Sequence, residues 1–328
     1  MPQPVPPRRD GSLAKEKWLS ARQGELLPVP YFHIVFTIPE ELNALALVNQ
    51  VVVYTMLFRS AAETLLCVGR DPKHLGAEIG LVAVLHTWGQ NLMHHPHVHC
   101  IVPGGGLSKD GTRWIGSRKK FFLPVHVLSR VFRGKFLESL KKAYRAGQIK
   151  CVGRIKTLER TQEFQKLLDR LYRKGWVVYA KQPFGGPEQV LAYLGRYTHR
   201  VALTNHRLVR MTDGKVSFRW RDYRNGDKEK VMTVEACEFI RRFLLHVLPD
   251  GLCKIRYYGF LSNRKRESQL ERCRLLLGVA VVVEKAVPAS WQEILLELTG
   301  VDIGLCPSCH KGRMQHHRLI KPVQHAPP

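Results

Sequence analysis

The segment GLVAVLHTWGQNLMHHPHVHCIVPGG, residues Gly80 to Gly105, contains two apolar runs with a short polar stretch between them. The runs Gly80–Trp88 and His97–Gly105 are rich in β-branched residues and have the length of single strands. Two such runs joined by a short loop are typical of an antiparallel hairpin. We therefore predict that this hairpin forms part of a β-sheet.

Further segments predict strands and helices on both sides of the hairpin. Strands are expected at Tyr31–Pro39, at Gly175–Phe184 and, as two or three short ones, between Val201 and Trp220. Helices are expected at Leu13–Leu27, Glu40–Gly69, Val125–Ala146, Thr161–Lys174, Pro187–Thr198 and Val234–Leu248. Together they predict an α+β fold, an antiparallel sheet with helices packed on one face.

The chain is strongly basic. Its 328 residues include 52 Lys and Arg against 27 Asp and Glu, a formal net charge of +25. An excess of this size attracts dense polyanions, so a nucleic acid is the expected partner. A membrane is not expected, because no apolar run is long enough to span a bilayer and no basic amphipathic helix stands apart from the core. The proline-rich start MPQPVPPRRDG lacks the apolar core of a signal peptide, which favours the cytoplasm.

The second strand of the hairpin carries a dense group of histidines. Since alternate residues of a strand face the same side, His97 and His99 present two imidazoles that could hold a divalent metal. A His-x-His pair is also common in packing and on surfaces, so the spacing alone leaves both interpretations open. A third ligand is expected from Gln90 or His86 on or beside the neighbouring strand. We favour Gln90, because an amide oxygen suits Mg or Mn.

A second motif, AYLGRYTHR, contains Tyr193 and Tyr197. Their i, i+4 spacing on the predicted helix puts both hydroxyls on one face, about one turn apart. Two tyrosines at this spacing are usually core aromatics. Here a glycine and three basic residues lie beside them, and a tyrosine can act as a nucleophile that forms a covalent intermediate. Attack on a phosphodiester also needs positive charge to bind the strand and a metal to polarise the phosphate.

A paired-histidine strand followed by a Y-x-x-x-Y helix resembles the HUH nucleases, in which two histidines flank a hydrophobic residue. The segments HTWGQNLMHHPHVHCIVPGGG, AYLGRYTHRVALTNHRL and FRWRDYRNG closely resemble the two-tyrosine rolling-circle transposases of bacterial insertion sequences, the insertion-sequence-ninety-one type. The resemblance extends from about Trp18 to Leu277. It therefore includes both motifs.

The resemblance implies a fold and a chemistry. The fold is the HUH palm, a ferredoxin- or RRM-like antiparallel sheet with the histidines on a central strand and the tyrosines on a helix beneath it. His97 and His99 would hold Mg or Mn, while Tyr193 and Tyr197 would each form a 5′-phosphotyrosine and free a 3′-hydroxyl. The substrate would be single-stranded DNA at the element's ends and at the target, moved by rolling-circle transposition without ATP.

Basic residues around both motifs predict contacts with DNA. The segment Phe218–Lys230 interleaves aromatics with arginines, a pattern suited to stacking on single-stranded bases while pairing with phosphates. It could also be an exposed hairpin with solvated charges. The residues expected to bind DNA are Arg196, His199, Arg200, Arg219, Arg221 and Arg224, and those expected just outside the strand, in contact with phosphate or solvent, are His94 and His95.

The two ends of the chain differ from the family pattern in cysteine content. Family members commonly begin with a cysteine-rich zinc-binding segment, whereas no cysteine precedes Cys67 here. Near the other end CPSCHKGRM offers half of a zinc ribbon, formed by Cys306, Cys309 and a histidine from His310, His316 or His317. We predict four regions: a disordered leader at residues 1–13, a catalytic domain at 14–250, a basic helical extension at 251–300 and a tail at 301–328.

Three alternatives to a transposase are compatible with the sequence. A replication initiator or relaxase of the same superfamily would use the same chemistry on another substrate. A truncated, catalytically inactive remnant would bind DNA without forming a phosphotyrosine. A hydrolytic metalloenzyme would keep its activity after Tyr→Phe changes, because its tyrosines would be core residues.

Overall fold

The computed structural model describes residues 24–118, 122–184, 189–190, 202–222, 226–279, 296, 302, 304–309 and 311–314. The chain divides into two compact units, one formed by residues 25–282 and the other by residues 1–24 and 283–328. The predicted leader at residues 1–13 and most of the two predicted helices Leu13–Leu27 and Pro187–Thr198 lie outside the described residues.

Five strands form the main sheet. They are β1 (Tyr31–Thr37), β2 (Gly80–Trp88), β3 (His94–Pro103), β6 (Val178–Phe184) and β10 (Ile255–Gly259). Their order is β10-β2-β3-β1-β6, and every neighbouring pair is antiparallel. The predicted hairpin of β2 and β3 is therefore confirmed, and β3 is the central strand. It begins at His94 rather than at the predicted His97.

The remaining strands form two smaller sheets. They are β4 (Gly105–Leu107), β5 (Trp114–Gly116), β7 (Leu208–Thr212), β8 (Lys215–Asp222) and β9 (Lys228–Glu235). β4 pairs with β5, and β7, β8 and β9 form an antiparallel meander. The basic segment Phe218–Lys230 therefore belongs to a hairpin, with Arg219 and Arg221 exposed on β8.

The described part of the chain contains six α-helices. They are α1 (Asn43–Val48), α2 (Gln50–Arg70), α3 (Val125–Arg145), α4 (Thr161–Arg173), α5 (Ala236–Leu244) and α6 (Arg266–Leu276). Short 3-10 helices occur at Glu40–Leu42, Gly153–Glu159 and Asn205–Arg207.

The predicted long helix Glu40–Gly69 is interrupted at Asn49. The backbone of Asn49 leaves the helical region, with φ −122° and ψ 45°. Its side-chain amide donates to the carbonyl oxygens of Leu45 and Lys150, and its side-chain oxygen accepts from the Lys150 N–H at 2.7 Å. Asparagine side chains compete in this way with helical hydrogen bonds. The break depends on Lys150, a residue distant in sequence, so hydrophobic periodicity did not predict it.

Alternate residues of the main sheet face one apolar core. The buried residues of this face on the three inner strands are Phe32, Ile34, Phe36, Leu81, Ala83, Leu85, Val98, Cys100 and Val102. Helices α2, α3 and α4 cover the face, since their buried side chains belong to the same cluster. The predicted α+β class, an antiparallel sheet with helices on one face, is therefore confirmed. The opposite face of β2 and β3 carries His86, His97 and His99.

We expected no apolar run long enough to span a bilayer, but helix α2 is long and apolar enough, by length and composition, to cross a membrane. However, 61% of its most apolar window is buried inside the protein. Val53, Tyr54, Leu57 and Phe58 are completely buried against the sheet and its other helices. Burial of this extent is typical of the core helix of a globular protein.

The main unit continues past the boundary predicted at residue 250. Strand β10 pairs with β2 from Ile255 opposite Val84 to Gly259 opposite Gly80. Gly259 has φ +63°, and a Cβ there would overlap the carbonyl oxygen of Ile79, so glycine is required at this close approach. The segment predicted as a basic helical extension therefore contributes an edge strand to the main sheet before helix α6 begins.

Candidate metal centre

Three histidines meet on the face of the main sheet opposite the helices. His86 on β2 is the register partner of His97 on β3, and His99 follows on the same face of β3. The ring centroids are 5.5 Å apart for His86 and His97, 4.3 Å for His86 and His99, and 4.8 Å for His97 and His99. One ligand nitrogen from each ring lies within 4.8 Å of the other two. We call these three residues the histidine triad.

The histidine triad fits a divalent metal ion. Two nitrogens that bind one ion at about 2.1 Å are at most about 4.2 Å apart, so small ring rotations bring all three onto one ion. Burial lowers the pKa of His97 to about 4, so this ring is neutral near pH 7 and offers a lone pair. Neutral imidazoles bind divalent transition metals well. The three rings therefore form a binding site for a divalent metal.

Two further contacts orient the rings of the triad. The Nε2 atom of His33 on β1 lies 2.8 Å from Nδ1 of His99, and the two rings stack 3° from parallel. His97 Nδ1 donates to the carbonyl oxygen of His95 at 2.6 Å. A hydrogen bond at one ring nitrogen fixes the tautomer and directs the other nitrogen to the metal. An ion is therefore expected at the Nε2 atoms of His97 and His99.

The third histidine of the cluster is His86, whereas the sequence led us to favour Gln90. Gln90 lies in the turn after β2, where its carbonyl oxygen accepts a hydrogen bond from Arg207. His86 lies within β2 and is held by Trp88, whose indole stacks on its ring with centroids 4.7 Å apart. The geometry thus favours His86 as the third ligand, and the assignment of Gln90 stays a prediction.

The turn between β2 and β3 is held by three side chains from later in the chain. Arg207, Arg242 and His246 each donate to one of three successive carbonyl oxygens, those of Gln90 at 2.5 Å, Asn91 at 3.2 Å and Leu92 at 3.0 Å. We call these three side chains the turn clamp. Arg207 is only 8% exposed, and it also donates to the carbonyl oxygens of Ala202 and Arg219. The turn clamp therefore links the metal-centre hairpin to the β7–β9 sheet and helix α5.

Removal of the buried Arg207 guanidinium should destabilise the protein. In Arg207→Met, three carbonyl oxygens lose a charged donor, and we expect the free energy of unfolding to fall by about 3 kcal/mol. Urea denaturation measures the change, with Arg210→Met, an exposed arginine on β7, as the matched control. Equal stability of the two variants would contradict a structural role for the clamp.

Comparison with known proteins places the chain in a family. The family model Y2_Tnp, described as "Putative transposase", matches residues 80–269, from the first residue of β2 into α6. The match covers more than half of the chain and includes the whole histidine triad. The chain belongs to this transposase family. The resemblance inferred from the histidine and tyrosine motifs is thereby confirmed.

Individual relatives agree with the family match. "Putative transposase y4qJ" of Sinorhizobium fredii is 56% identical to this transposase over 305 residues, which cover 92% of the chain and 77% of the relative. "Transposase for insertion sequence element IS801" of Pseudomonas savastanoi pv. phaseolicola is 26% identical over 268 residues, covering 77% of the chain and 60% of the relative. The protein is thus a transposase of the insertion-sequence type.

A solved structure is also similar over part of the chain. The conjugative relaxase TrwC in its metal-bound complex with oriT DNA aligns with a TM-score of 0.28 and 16% identity. The alignment covers 34% of this transposase and 43% of the relaxase chain. A TM-score this low supports no statement about fold or activity.

Most of the other predicted site residues of the transposase lie outside the described residues. These are Tyr193, Arg196, Tyr197, His199, Arg200 and Arg224. Arg219 and Arg221 are described, and both are exposed on β8. Arg219 lies 3.9 Å from Glu229 and Arg221 lies 3.1 Å from Asp227, in ion pairs that are more than half exposed. Exposed pairs of this kind contribute little to stability and are screened by salt.

We predicted that His94 and His95 lie just outside the strand, whereas both belong to β3. His94 is the first residue of β3 and only 6% exposed. Its Nε2 atom lies 2.8 Å from the hydroxyl of Tyr54 on helix α2, and burial lowers the pKa of His94 to about 4. The neutral ring therefore anchors the start of β3 to the helical layer. The prediction failed because apolar periodicity does not register a histidine that is buried through one hydrogen bond.

The cysteine pair near residue 306 forms a tight loop within the smaller unit. Leu305 and Arg313 form an isolated antiparallel bridge, and the Cys306 N–H donates to the Gly312 carbonyl oxygen at 2.7 Å. The Gly312 N–H lies 3.4 Å from the Cys309 sulfur, and N–H donors at this sulfur lower the pKa of the Cys309 thiol. Donation to a cysteine sulfur favours the thiolate, the form that binds metals.

Proposed function

We propose that this transposase cuts and rejoins single-stranded DNA at the histidine triad, with Tyr193 and Tyr197 as the nucleophiles. The observation that supports this most directly is the triad itself. It lies on the central strand pair, its rings are oriented by two further hydrogen bonds, and it falls within the region that the family model matches. A net charge of +25 suits a protein that must bind the phosphodiester backbone.

Each cleavage is a transesterification. A tyrosine hydroxyl oxygen forms a bond to the phosphorus, the bond from phosphorus to the 3′ oxygen breaks, and that oxygen leaves with a proton as a 3′-hydroxyl. The 5′-phosphotyrosine retains the energy of the phosphodiester, so a 3′-hydroxyl can reverse the step and rejoin the strand without ATP. Two tyrosines allow one cleavage at the donor and a second one during transfer.

His86, His97 and His99 would hold the divalent metal. When bound, the ion would withdraw negative charge from the scissile phosphate. We propose Mn²⁺ rather than Mg²⁺, because Mg²⁺ takes almost only oxygen ligands and the triad offers three nitrogens. His33 and the His95 carbonyl fix the ring tautomers, and the turn clamp keeps β2 and β3 in register at the end nearest the triad.

The proposed substrates are the single-stranded ends of the element and the target strand. Arg219 and Arg221 are exposed on strand β8 of the β7–β9 sheet. A DNA phosphate can replace their exposed acidic partners at a small cost in free energy. We place the protein in the cytoplasm, together with its DNA substrate.

The proposal is tested by incubating the protein with labelled single-stranded oligonucleotides from its genomic flanks and Mn²⁺, followed by denaturing gel electrophoresis. A covalent protein–DNA band is expected for the wild type and for the control His126→Ala, an exposed residue on α3. The band should be absent for His97→Ala/His99→Ala. Tight DNA binding with no covalent band in the wild type would instead favour a catalytically inactive remnant.

We also propose a zinc ion at Cys306 and Cys309. The bridge between Leu305 and Arg313 and the N–H donors at Cys309 are features that stabilise thiolates in a tight loop. Zinc needs two more ligands, and His310, His316 and His317 supply imidazoles at suitable sequence distances. This site is separate in chemistry from the triad, because thiolates select softer metals.

Zinc analysis of the full chain tests this site. In a His97→Ala/His99→Ala background, we expect about one zinc per chain, and adding Cys306→Ser/Cys309→Ser should remove it. Cys67→Ser/Cys253→Ser, which changes two other exposed cysteines, is the matched control and should keep the zinc. Equal zinc content in both quadruple variants would exclude the site.

A further inference from the structure

A cavity of about 180 Å³ opens at the edge of the main sheet, beside the metal centre. It lies where strand β10 ends. The Leu85 N–H still donates to the Lys254 carbonyl oxygen, but β2 runs on to Trp88 with no register partner from β10. Thr87 and Trp88 therefore form one side of the cavity, and residues at the end of helix α5 and just after it form another.

The cavity is one aromatic ring away from the histidine triad. The indole of Trp88 lines it and also stacks on the His86 ring, with centroids 4.7 Å apart and planes 17° from parallel. A ligand in the cavity would thus be separated from the triad by the Trp88 ring alone. Neither the family match nor the proposed cleavage mechanism gives this cavity a role.

The lining combines flat apolar surface with one positive charge. Phe243, Val247 and Leu248 supply apolar walls, and Phe243 and Val247 are 40% and 59% exposed, so the cavity is open to solvent. The Lys254 ammonium lies 5.0 Å from the centroid of the Trp88 ring. Burial lowers the pKa of Lys254 to about 8, which still leaves most of it protonated near pH 7. No acidic residue is among the lining residues.

His246, which also lines the cavity, is held rigidly in place. The Nδ1 atom of His246 forms a hydrogen bond with the Thr87 hydroxyl at 3.3 Å, and its Nε2 atom donates to the Leu92 carbonyl oxygen at 3.0 Å. Its ring also packs edge-on against Trp88, with centroids 5.9 Å apart. Because both ring nitrogens are engaged within the protein, His246 shapes the cavity rather than binding a ligand through a nitrogen. A preformed cavity of this kind needs little rearrangement to accept a flat ligand.

We propose that this cavity takes one unstacked nucleobase of the DNA strand bound at the metal centre, an inference that rests on the proposed function. The faces of a base are flat and apolar, which suits the lining of Phe243, Val247 and Leu248 beside Trp88. A phosphate or base carbonyl next to it would meet the Lys254 ammonium. In single-stranded DNA a base is unpaired, so moving it into a cavity costs little. A base seated beside Trp88 would fix the register of the strand and thereby select which phosphate reaches the triad.

The inference is tested by comparing binding of two strands of equal charge in EDTA, where no cleavage occurs. The probes are an oligodeoxythymidine of about 16 nucleotides and an abasic sugar-phosphate strand of the same length. The wild type should bind the thymidine strand about tenfold more tightly. Val247→Trp, which fills the cavity, should reduce this preference to about twofold. Val152→Trp, an exposed valine in a distant loop, is the matched control and should keep the full preference.

A second variant tests whether an effect of Val247→Trp comes from a changed cavity or from misfolding. Phe243→Ala removes one wall instead of filling the cavity, and its preference for the thymidine strand should fall about threefold. Wild-type preference in both variants, or no preference in the wild type, would overturn the inference. If the wild type still formed a covalent product, the proposed cleavage would be supported and only the base site would be excluded. Conversely, a cavity-dependent preference without any covalent product would overturn the cleavage and keep the base site.

Discussion

A Tyr193→Phe/Tyr197→Phe protein should form no covalent product with single-stranded DNA, a loss of at least about a thousandfold. Phenylalanine keeps the ring and its packing but lacks the hydroxyl oxygen that would attack the phosphorus. Each single variant should retain one nucleophile and accumulate a product that is cleaved but not transferred. Denaturing gels with labelled strands measure the covalent band, and strand-transfer products are read on the same gels.

The matched control for the tyrosine variants is Tyr172→Phe. Tyr172 lies on α4 and is 62% exposed, and it stacks under the Arg133 guanidinium away from the histidines. This variant should give the wild-type band. If the double variant still cleaved DNA while the control was unaffected, water would be the nucleophile and the tyrosines would be packing residues. The protein would then be a hydrolytic metalloenzyme.

His86→Ala should weaken Mn²⁺ binding by more than about a hundredfold, because it removes one of three nitrogen ligands. Gln90→Ala should change Mn²⁺ affinity by less than about threefold, because the three imidazoles would remain. Isothermal titration of the protein with Mn²⁺ measures both, and the covalent band should follow the affinities. The two variants therefore distinguish the ligand set that the geometry favours from the one that the sequence favoured.

Two outcomes would contradict the assignment of His86. One is a large loss of affinity in Gln90→Ala with little change in His86→Ala, which would restore the amide oxygen as third ligand. The other is equal affinity in both variants and in His126→Ala, which would show that the triad does not bind the ion. A melting curve for each variant separates loss of a ligand from loss of the fold, since His86 is also packed against Trp88.

The sequence predicted the elements that depend on local pattern. An apolar run rich in β-branched residues predicted β2, and the prediction of the hairpin followed from two such runs separated by a short loop. The helical spacing of apolar residues predicted α3 and α4 to within one residue at their C-terminal ends. The strand periodicity of two also placed His97 and His99 on one face, so two of the three histidines of the triad were predicted from the motif.

Contacts between distant segments were not visible in the sequence. His33 is the single histidine of β1 and belongs to no motif. Its role at the metal centre appears only when β1 pairs with β3. In the sequence nothing distinguishes Arg207 from the many other basic residues. In the structure it is buried and supports a turn that lies more than a hundred residues before it in the chain. The choice between His86 and Gln90 depended on where β2 ends, and element ends are the least certain part of a prediction from pattern.

The sequence by itself determined the chemistry available: the paired histidines, the two tyrosines, the excess of positive charge and the transposase family that these motifs indicate. Such features are local, because residue type, spacing and strand or helix period suffice to define them. Only the tertiary structure decided which side chains meet. Strand register brought His86 to His97 and His33 to His99, and the turn clamp and the cavity beside Trp88 arose from segments as far apart in the chain as Leu85 and Lys254. Register and long-range packing depend on the whole fold, so no short stretch of sequence specifies them.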